Sequence, residues 1–240
     1  MEKDVFRRRE QKYLLTPAQR TGLEAILSQY MVPDVHGEST VCSVYYDTPD
    51  SRLIRRSMEK PMYKEKLRVR SYGQAASGSE VYLELKKKFD GVVYKRRICL
   101  TAKQAEDYMA GCAPLPQDCQ SGREIRYFRD FYGSLIPAIY LCCDRTAYAS
   151  PEDASLRVTF DRHIRWRTSD LSLTSPPGGE LLLPEQSSIL EIKADSAMPL
   201  WLAQALSELQ IRKTSFSKYG AAYAAQYERK SAAKKGVNYA

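Results

Sequence analysis

Residues 63–72, YKEKLRVRSY, and 80–100, EVYLELKKKFDGVVYKRRICL, decide how this chain is read. In both stretches the pattern repeats every second residue. Leu67 and Val69 alternate with Lys66, Arg68 and Arg70, and Leu83 and Leu85 alternate with Glu84, Lys86 and Lys88. Period two is the signature of a β-strand with one face toward an apolar layer. Asp90-Gly91 stands between the two halves of the second stretch, and this dipeptide supplies the positive φ angles of a tight hairpin. The reading is therefore strands over 63–72, 80–89 and 92–100, the last two forming a hairpin.

Working outward, residues 8–14, 41–47, 138–149, 156–166 and 189–194 carry the same alternation and read as strands. Helical spacing marks 17–30, 102–109, 123–132, 200–210 and 217–229, with Thr16 as N-cap and Pro17 in the first helical position. Residues 169–186, which contain Pro176-Pro177-Gly178-Gly179, read as a surface excursion. The fold class is α+β, with about eight mostly antiparallel strands and flanking helices. One domain is expected over 1–228, followed by a polar C-terminal tail over 229–240 that frays. The 240 residues suffice for a sizeable core, so wholesale disorder is excluded. No apolar run approaches the 20 residues that span a bilayer, and Met1-Glu2-Lys3-Asp4 followed by Arg7-Arg8-Arg9 is no signal peptide. A cytoplasmic location is expected, with any membrane attachment supplied by a membrane-protein partner.

The polar faces of the strands carry a bias. Lys66, Arg68 and Arg70 share one face; so do Glu84, Lys86 and Lys88; Lys95 and Arg97; Glu10 and Lys12; and Glu191 and Lys193. A single such strand reads as a wet sheet face with interleaved charges. Recurrence over six strands, Arg157 among them, with at most one acid in each row, reads differently. A two-faced sheet of about eight strands can close into a barrel that holds a small ligand. If the charged faces point inward, the lumen is cationic with a few carboxylates. Arg and Lys rows suit phosphate oxygens, and carboxylates among them suit a hard divalent ion. An empty lumen of this kind repels itself and costs stability. The net charge of +8 also favours anionic partners.

These residues resemble a known family. Arg8-Arg9-Glu10-Gln11-Lys12-Tyr13, Tyr46-Asp47-Thr48-Pro49, residues 66–73, 83–88 and 94–97, Asp144-Arg145-Thr146-Ala147-Tyr148, residues 156–161, Leu190-Glu191-Ile192-Lys193 and Phe216-Ser217-Lys218-Tyr219-Gly220 occur in that order. Together they resemble the VTC domain, the polyphosphate polymerase domain of vacuolar transporter chaperone complexes, in its bacterial form. That domain belongs to the CYTH or triphosphate tunnel metalloenzyme superfamily. The resemblance covers roughly residues 5–228.

The resemblance implies an eight-stranded antiparallel tunnel barrel (the triphosphate tunnel fold) that transfers the terminal phosphoryl of ATP to inorganic polyphosphate. It implies Lys12, Arg68, Arg70, Lys86, Lys95, Arg145, Arg157, Lys193 and Lys218 as phosphate-binding residues. Glu191, Lys218 and Arg145 are implied as catalytic, and Glu191 with Glu10 as ligands to manganese or magnesium. The matching first strand departs from the Glu-x-Glu-x-Lys of tunnel triphosphatases, with Arg8, Glu10 and Lys12 at those positions. That shifts weight from hydrolysis toward polymer synthesis or binding. The alternatives are a metal-dependent triphosphatase on inorganic triphosphate or nucleotides, and a non-catalytic polyphosphate-binding module. No specific nucleic-acid partner is expected, because no cluster of aromatics with glycine accompanies the basic rows. The oligomeric state is not legible.

Other features read as structural. Six cysteines without a C-x-x-C pair, and only His36 and His163 beside them, read as reduced and mostly buried thiols rather than a zinc site. Cys143 shares a face with Arg145 and so belongs to the tunnel wall. The 17 tyrosines read as core and wall residues.

Overall fold

The computed structural model describes residues 9–90, 92–195 and 197–237. The elements in chain order are β1 (Arg9–Leu15), α1 (Pro17–Leu27), β2 (Val32–Asp47), α2 (Arg52–Met58), β3 (Tyr63–Tyr72), β4 (Glu80–Phe89), β5 (Val92–Thr101) and α3 (Ala102–Ala110). Then follow α4 (Gln120–Tyr132), β6 (Ile136–Ala149), β7 (Arg157–Arg167), β8 (Glu180–Leu181), β9 (Ser188–Ala194), α5 (Leu200–Glu208), β10 (Lys213–Thr214) and α6 (Lys218–Val237). The strands form one antiparallel sheet in the order β10-β1-β9-β7-β6-β2-β3-β4-β5, with β8 beside β7. Among the described residues there are ten strands rather than eight. The two extra ones, β8 and β10, have two residues each and escape any alternation test.

Local chemistry explains most boundaries. Thr16 and Gln19 form a capping box at α1, and Thr101 and Gln104 form another at α3. Asp90 has φ 43°, as a tight β4–β5 turn requires, while Gly91 lies outside the described residues. Strand β2 begins at Val32, well before the expected 41, and takes in Pro33 and Gly37. Its first part pairs only with β6, because β3 joins from Val41 onward. A one-sided edge tolerates the missing N–H of proline. Helix α2 escapes sequence reading because its cap lies upstream. The Asp47 carboxylate accepts from the backbone N–H of Leu53 at 2.8 Å and of Ile54 at 3.0 Å. Helix α6 runs through most of the segment expected to be a tail.

The register assigns every residue a face. Lys12 lies opposite Glu191, and Glu191 opposite Thr159. Asp161 lies opposite Arg145, Ser43 opposite Arg70, Arg68 opposite Glu84, and Glu84 opposite Arg97. These residues share one face of the whole sheet. The opposite face is apolar. Leu67, Val69, Leu83, Leu85, Ile98 and Leu100 pack under α3 and α4 through Tyr108, Ile125 and Phe128. Tyr13, Leu15, Val158, Phe160, Leu190 and Ile192 pack under α1 and α5 through Leu23, Leu27 and Leu202. Each such burial stabilises by roughly 1.5–3 kcal/mol. A one-residue slip would drive Arg68 and Arg70 into that layer, so the charged face is held inward.

The sheet curls until its two ends meet through side chains. Lys86 of β4 donates to Glu10 of β1 at 3.0 Å. At one end of the charged face, Tyr219 and Ala222 of α6 pack on Tyr45, Leu141, Trp166 and Ile189. The inward charged face thus becomes a lumen with α6 seated across one end.

Candidate functional site

Four carboxylates organise the lumen, and each grips several cations. Glu84, 1 % exposed, accepts from Arg68 Nε at 2.8 Å, Arg97 Nη2 at 2.6 Å and Lys95 Nζ at 2.6 Å, with Arg70 Nε at 3.9 Å. Asp161 is fully buried; it takes the Arg145 fork at 2.6 and 2.8 Å and also pairs with Lys218. Glu191 lies 3.1 Å from Lys12, 3.3 Å from Lys193 and 3.7 Å from Lys218. Glu10 contacts Lys86 at 3.0 Å and Lys12 at 3.3 Å. Burial alone would raise the carboxyl of Glu10, but Lys86, Lys12 and Lys193 outweigh it and hold it down to about 2. The same contest leaves Glu84, Asp161 and Glu191 below the ordinary carboxylate range, with Arg68, Arg145 and Lys193 foremost among their cations.

Positive charge still exceeds negative on this face, and several bases register the excess. Burial, reinforced by Lys86, Lys12 and Lys64, lowers Lys66 to about 8 even though Tyr45 opposes the shift. Burial lowers Lys95 to about 8 as well, against Glu84 and with Arg97 and Arg68. The Tyr45 phenol, raised by burial but drawn down by Arg68, Lys66 and Arg70, also sits at about 8. Its oxygen accepts from Arg68 Nη1 at 2.9 Å, and its ring stacks on Tyr219 at 4.6 Å. A polyanion in the lumen would relieve this crowding.

The start of α6 is tied into the same face. Lys12 Nζ donates to the Phe216 carbonyl at 3.1 Å, and Lys66 Nζ to Ser217 Oγ at 2.8 Å. Tyr219 donates to Asp47 Oδ2 at 2.7 Å, which links the helix to β2 and α2. Lys218 thereby stands between Asp161 and Glu191.

The expected site residues Lys12, Arg68, Arg70, Lys86, Lys95, Arg145, Lys193, Lys218, Glu10 and Glu191 all meet on the inward face. Arg157 shares the face, but it pairs with Asp34 and its side chain is 42 % exposed, so it sits at the rim. The sequence does not single out Asp161, and it shows Glu84 only as the acid of its row. Asp161 follows Arg157 by four residues and Thr159 by two, so parity alone placed it inside. Lys87 and Arg96 have the other parity and pair with Glu124 of α4 outside the lumen. All six cysteines are free; Cys42, Cys142 and Cys143 are buried, and Cys112 is exposed. Burial, with Asp161 nearby, pushes the Cys143 thiol up to about 12, so it is an inert wall residue.

Among the described residues no group of three or more His, Cys, Asp or Glu side chains is arranged to hold a metal ion by itself. Glu10 and Glu191 nevertheless flank one cation position, the Lys12 ammonium, at 3.3 and 3.1 Å. Two hard oxygen donors so close together suit a small divalent ion once Lys12 has moved off them onto a phosphate.

A family model described as the VTC domain matches residues 7–227. No curated relative matches the chain in sequence. Among solved structures, a candidate adenylate cyclase from Bacillus halodurans superposes with a TM-score of 0.58 at 14 % identity, covering 90 % of this chain and 96 % of that one. A candidate adenylyl cyclase from Hippeastrum, described as having a dominant triphosphatase activity, superposes at 0.55 with 18 % identity, covering 88 % and 92 %. At these identities the likeness concerns the fold. Among the described residues no helix is long and apolar enough to cross a membrane.

Proposed function

The chain belongs to the VTC domain family, and on that premise we propose that it transfers the terminal phosphoryl of ATP to inorganic polyphosphate and releases ADP. The observation that carries the reading is the inward face itself, where Arg68, Arg70, Lys95, Arg97 and Arg145 converge around carboxylates that only partly neutralise them. Phosphoryl transfer needs the donor and acceptor phosphates in line and their charge balanced, and little covalent help. Forked guanidiniums fixed by Glu84 and Asp161 supply both requirements. The attacking phosphate oxygen is already ionised near neutrality, so no strong base is required. A divalent ion bound with the phosphates would neutralise charge as it develops, with Glu191 and Glu10 as its protein ligands. Lys218, carried by α6, would contact the phosphates from the end opposite Arg97.

A triphosphatase is the second reading, favoured by the activity described for the Hippeastrum neighbour. Incubation with ATP and manganese separates the readings. A ladder of polymer with matching ADP supports the polymerase. Phosphate without polymer establishes the triphosphatase, and tight polyphosphate binding without turnover leaves a binding module.

Two predictions test the anion site itself. Arg68→Ala and Arg70→Ala should each weaken triphosphate binding by about 1–3 kcal/mol, the range for a charge-assisted bond, as titration calorimetry would report. Unchanged affinity in both variants would exclude the lumen as the binding place. Affinity should also depend on pH with a definite sign. Lys66 and Lys95 sit at about 8 in the free protein, and bound phosphate favours their charged forms. Binding therefore takes up protons near pH 8 and weakens as pH rises through that value. Calorimetry in two buffers of different ionisation enthalpy would detect the uptake, and no buffer dependence would refute it.

A further inference from the structure

Beyond the phosphate cations, the inward face of β3, β4 and β5 continues away from α6 and changes character. Along β4 the same parity runs Glu84, Tyr82, Glu80, and along β5 it runs Arg97, Cys99, Thr101, with Tyr82 directly opposite Cys99 and Glu80 opposite Thr101. Tyr72 follows Arg70 on β3. At about 3.4 Å per residue, Tyr82 lies about 7 Å and Glu80 about 14 Å along the strand from Glu84.

The tyrosines form a platform joined to the phosphate site. The Arg97 guanidinium, bonded to Glu84 at 2.6 Å, lies over the Tyr82 ring at 4.5 Å from its centroid. Tyr72 meets Tyr82 edge-on at 6.0 Å and is 47 % exposed. Glu80 accepts from the Tyr82 hydroxyl at 2.6 Å and from Cys99 Sγ at 2.8 Å, which fixes the ring. Beside Glu80 and Cys99 lies a shallow, open depression that Gly78, Leu100, Thr101 and Gln104 complete at the outer edge of β5. Inorganic phosphate has no use for aromatic surface, whereas a nucleobase stacks on it whatever its identity.

Resting on the ATP-dependent reading above, we infer that Tyr72 and Tyr82 form a nucleobase platform at the mouth of the lumen. The site holds the base of a nucleoside triphosphate while its phosphates reach Arg97, Arg70 and Arg68. The donor therefore enters from this mouth, base outward, with its terminal phosphate pointing toward α6.

Equilibrium binding in EDTA, where nothing turns over, tests the site with two probes, ATP and inorganic triphosphate. Tyr82→Ala and Tyr72→Ala should each weaken ATP about ten-fold, leave triphosphate within two-fold, and recover in Tyr82→Phe and Tyr72→Phe. Equal weakening of both probes would mean that the rings only position Arg97, and unchanged ATP affinity would mean that they hold nothing. Either result overturns the nucleobase site and leaves the proposed function standing, whereas a wild type that binds triphosphate but not ATP overturns both and favours the triphosphatase on inorganic triphosphate. A wild type that binds neither probe, in EDTA or with manganese added, overturns the polyphosphate reading itself, and the nucleobase site with it.

Discussion

Glu191→Gln is expected to lower ATP turnover by at least about 100-fold, the scale for removing one fixed charge from a transition-state site. The same change should destabilise the empty protein. The Glu191 side chain is only 8 % exposed and lies within 3.7 Å of Lys12, Lys193 and Lys218. After the substitution Lys12 retains Glu10, and Lys218 retains Asp161. Lys193 retains no ion pair among the described residues. Removing one partner of a buried pair costs about 3–5 kcal/mol, and the low end applies because two of the three bases keep a partner. Triphosphate should then raise the melting temperature of the variant more than that of the wild type, since the ligand replaces lost negative charge. ADP release and thermal melts with and without triphosphate measure both effects. Turnover within several-fold of wild type would end the metal-ligand role. An unchanged melt would show that Glu191 does not anchor the lysines.

The carboxylates also change the expectation that an empty lumen simply repels itself. Glu84 alone contacts Arg68, Arg97 and Lys95 at 2.6–2.8 Å. These contacts hold the cations apart and preset, so little rearrangement is needed when phosphate arrives. The residual strain of like charges survives at Lys66, which has Ser217 Oγ and no carboxylate as its hydrogen-bond partner among the described contacts. The lumen thus balances part of its own charge and remains biased toward an anion.

Legibility followed the strength of the local signal. Strands β3 and β4 match their expected bounds because alternation and Asp90-Gly91 act within a few residues. The start of β2 was lost because Pro33 and Gly37 speak for a loop, and only one-sided pairing with β6 admits them to a strand. Helix α2 was invisible because its capping carboxylate, Asp47, lies five residues before it and also serves Tyr219 of α6. The cationic rows were legible from parity. Lys218 was legible only through the family resemblance, since no periodicity says that a C-terminal helix enters the lumen. Asp161 went unread because one acid in a basic row looks like ordinary charge interleaving, and its value lies in contacts from two distant elements.

Asp161→Asn should be the most damaging single substitution to stability. Asp161 is fully buried on β7, with Arg145 of β6 bonded through Nε at 2.6 Å and Nη2 at 2.8 Å, and Lys218 of α6 on the same carboxylate. Asparagine keeps the shape but offers a single acceptor oxygen, so either the Arg145 fork or Lys218 must face an N–H. Loss of one partner from a buried ionic cluster costs about 3–5 kcal/mol. For a chain of this size that corresponds to a fall of roughly 10 °C in melting temperature. The pH dependence has a fixed sign. Burial would raise the Asp161 carboxyl, but Arg145 and Lys218 override it and hold the folded value below the ordinary one. Its contribution is therefore complete above the unfolded value near 3.9 and is lost as pH falls toward the folded one. The gap between wild type and variant should be constant at neutral pH and close below about pH 4. Because Arg145 and Lys218 both lose their anchor, triphosphate affinity should fall together with stability, and Asp161→Glu should not restore it, since a longer acid cannot keep the fork in register. A melt within a few degrees of wild type would show that Arg145 and Lys218 are placed by something other than this carboxylate.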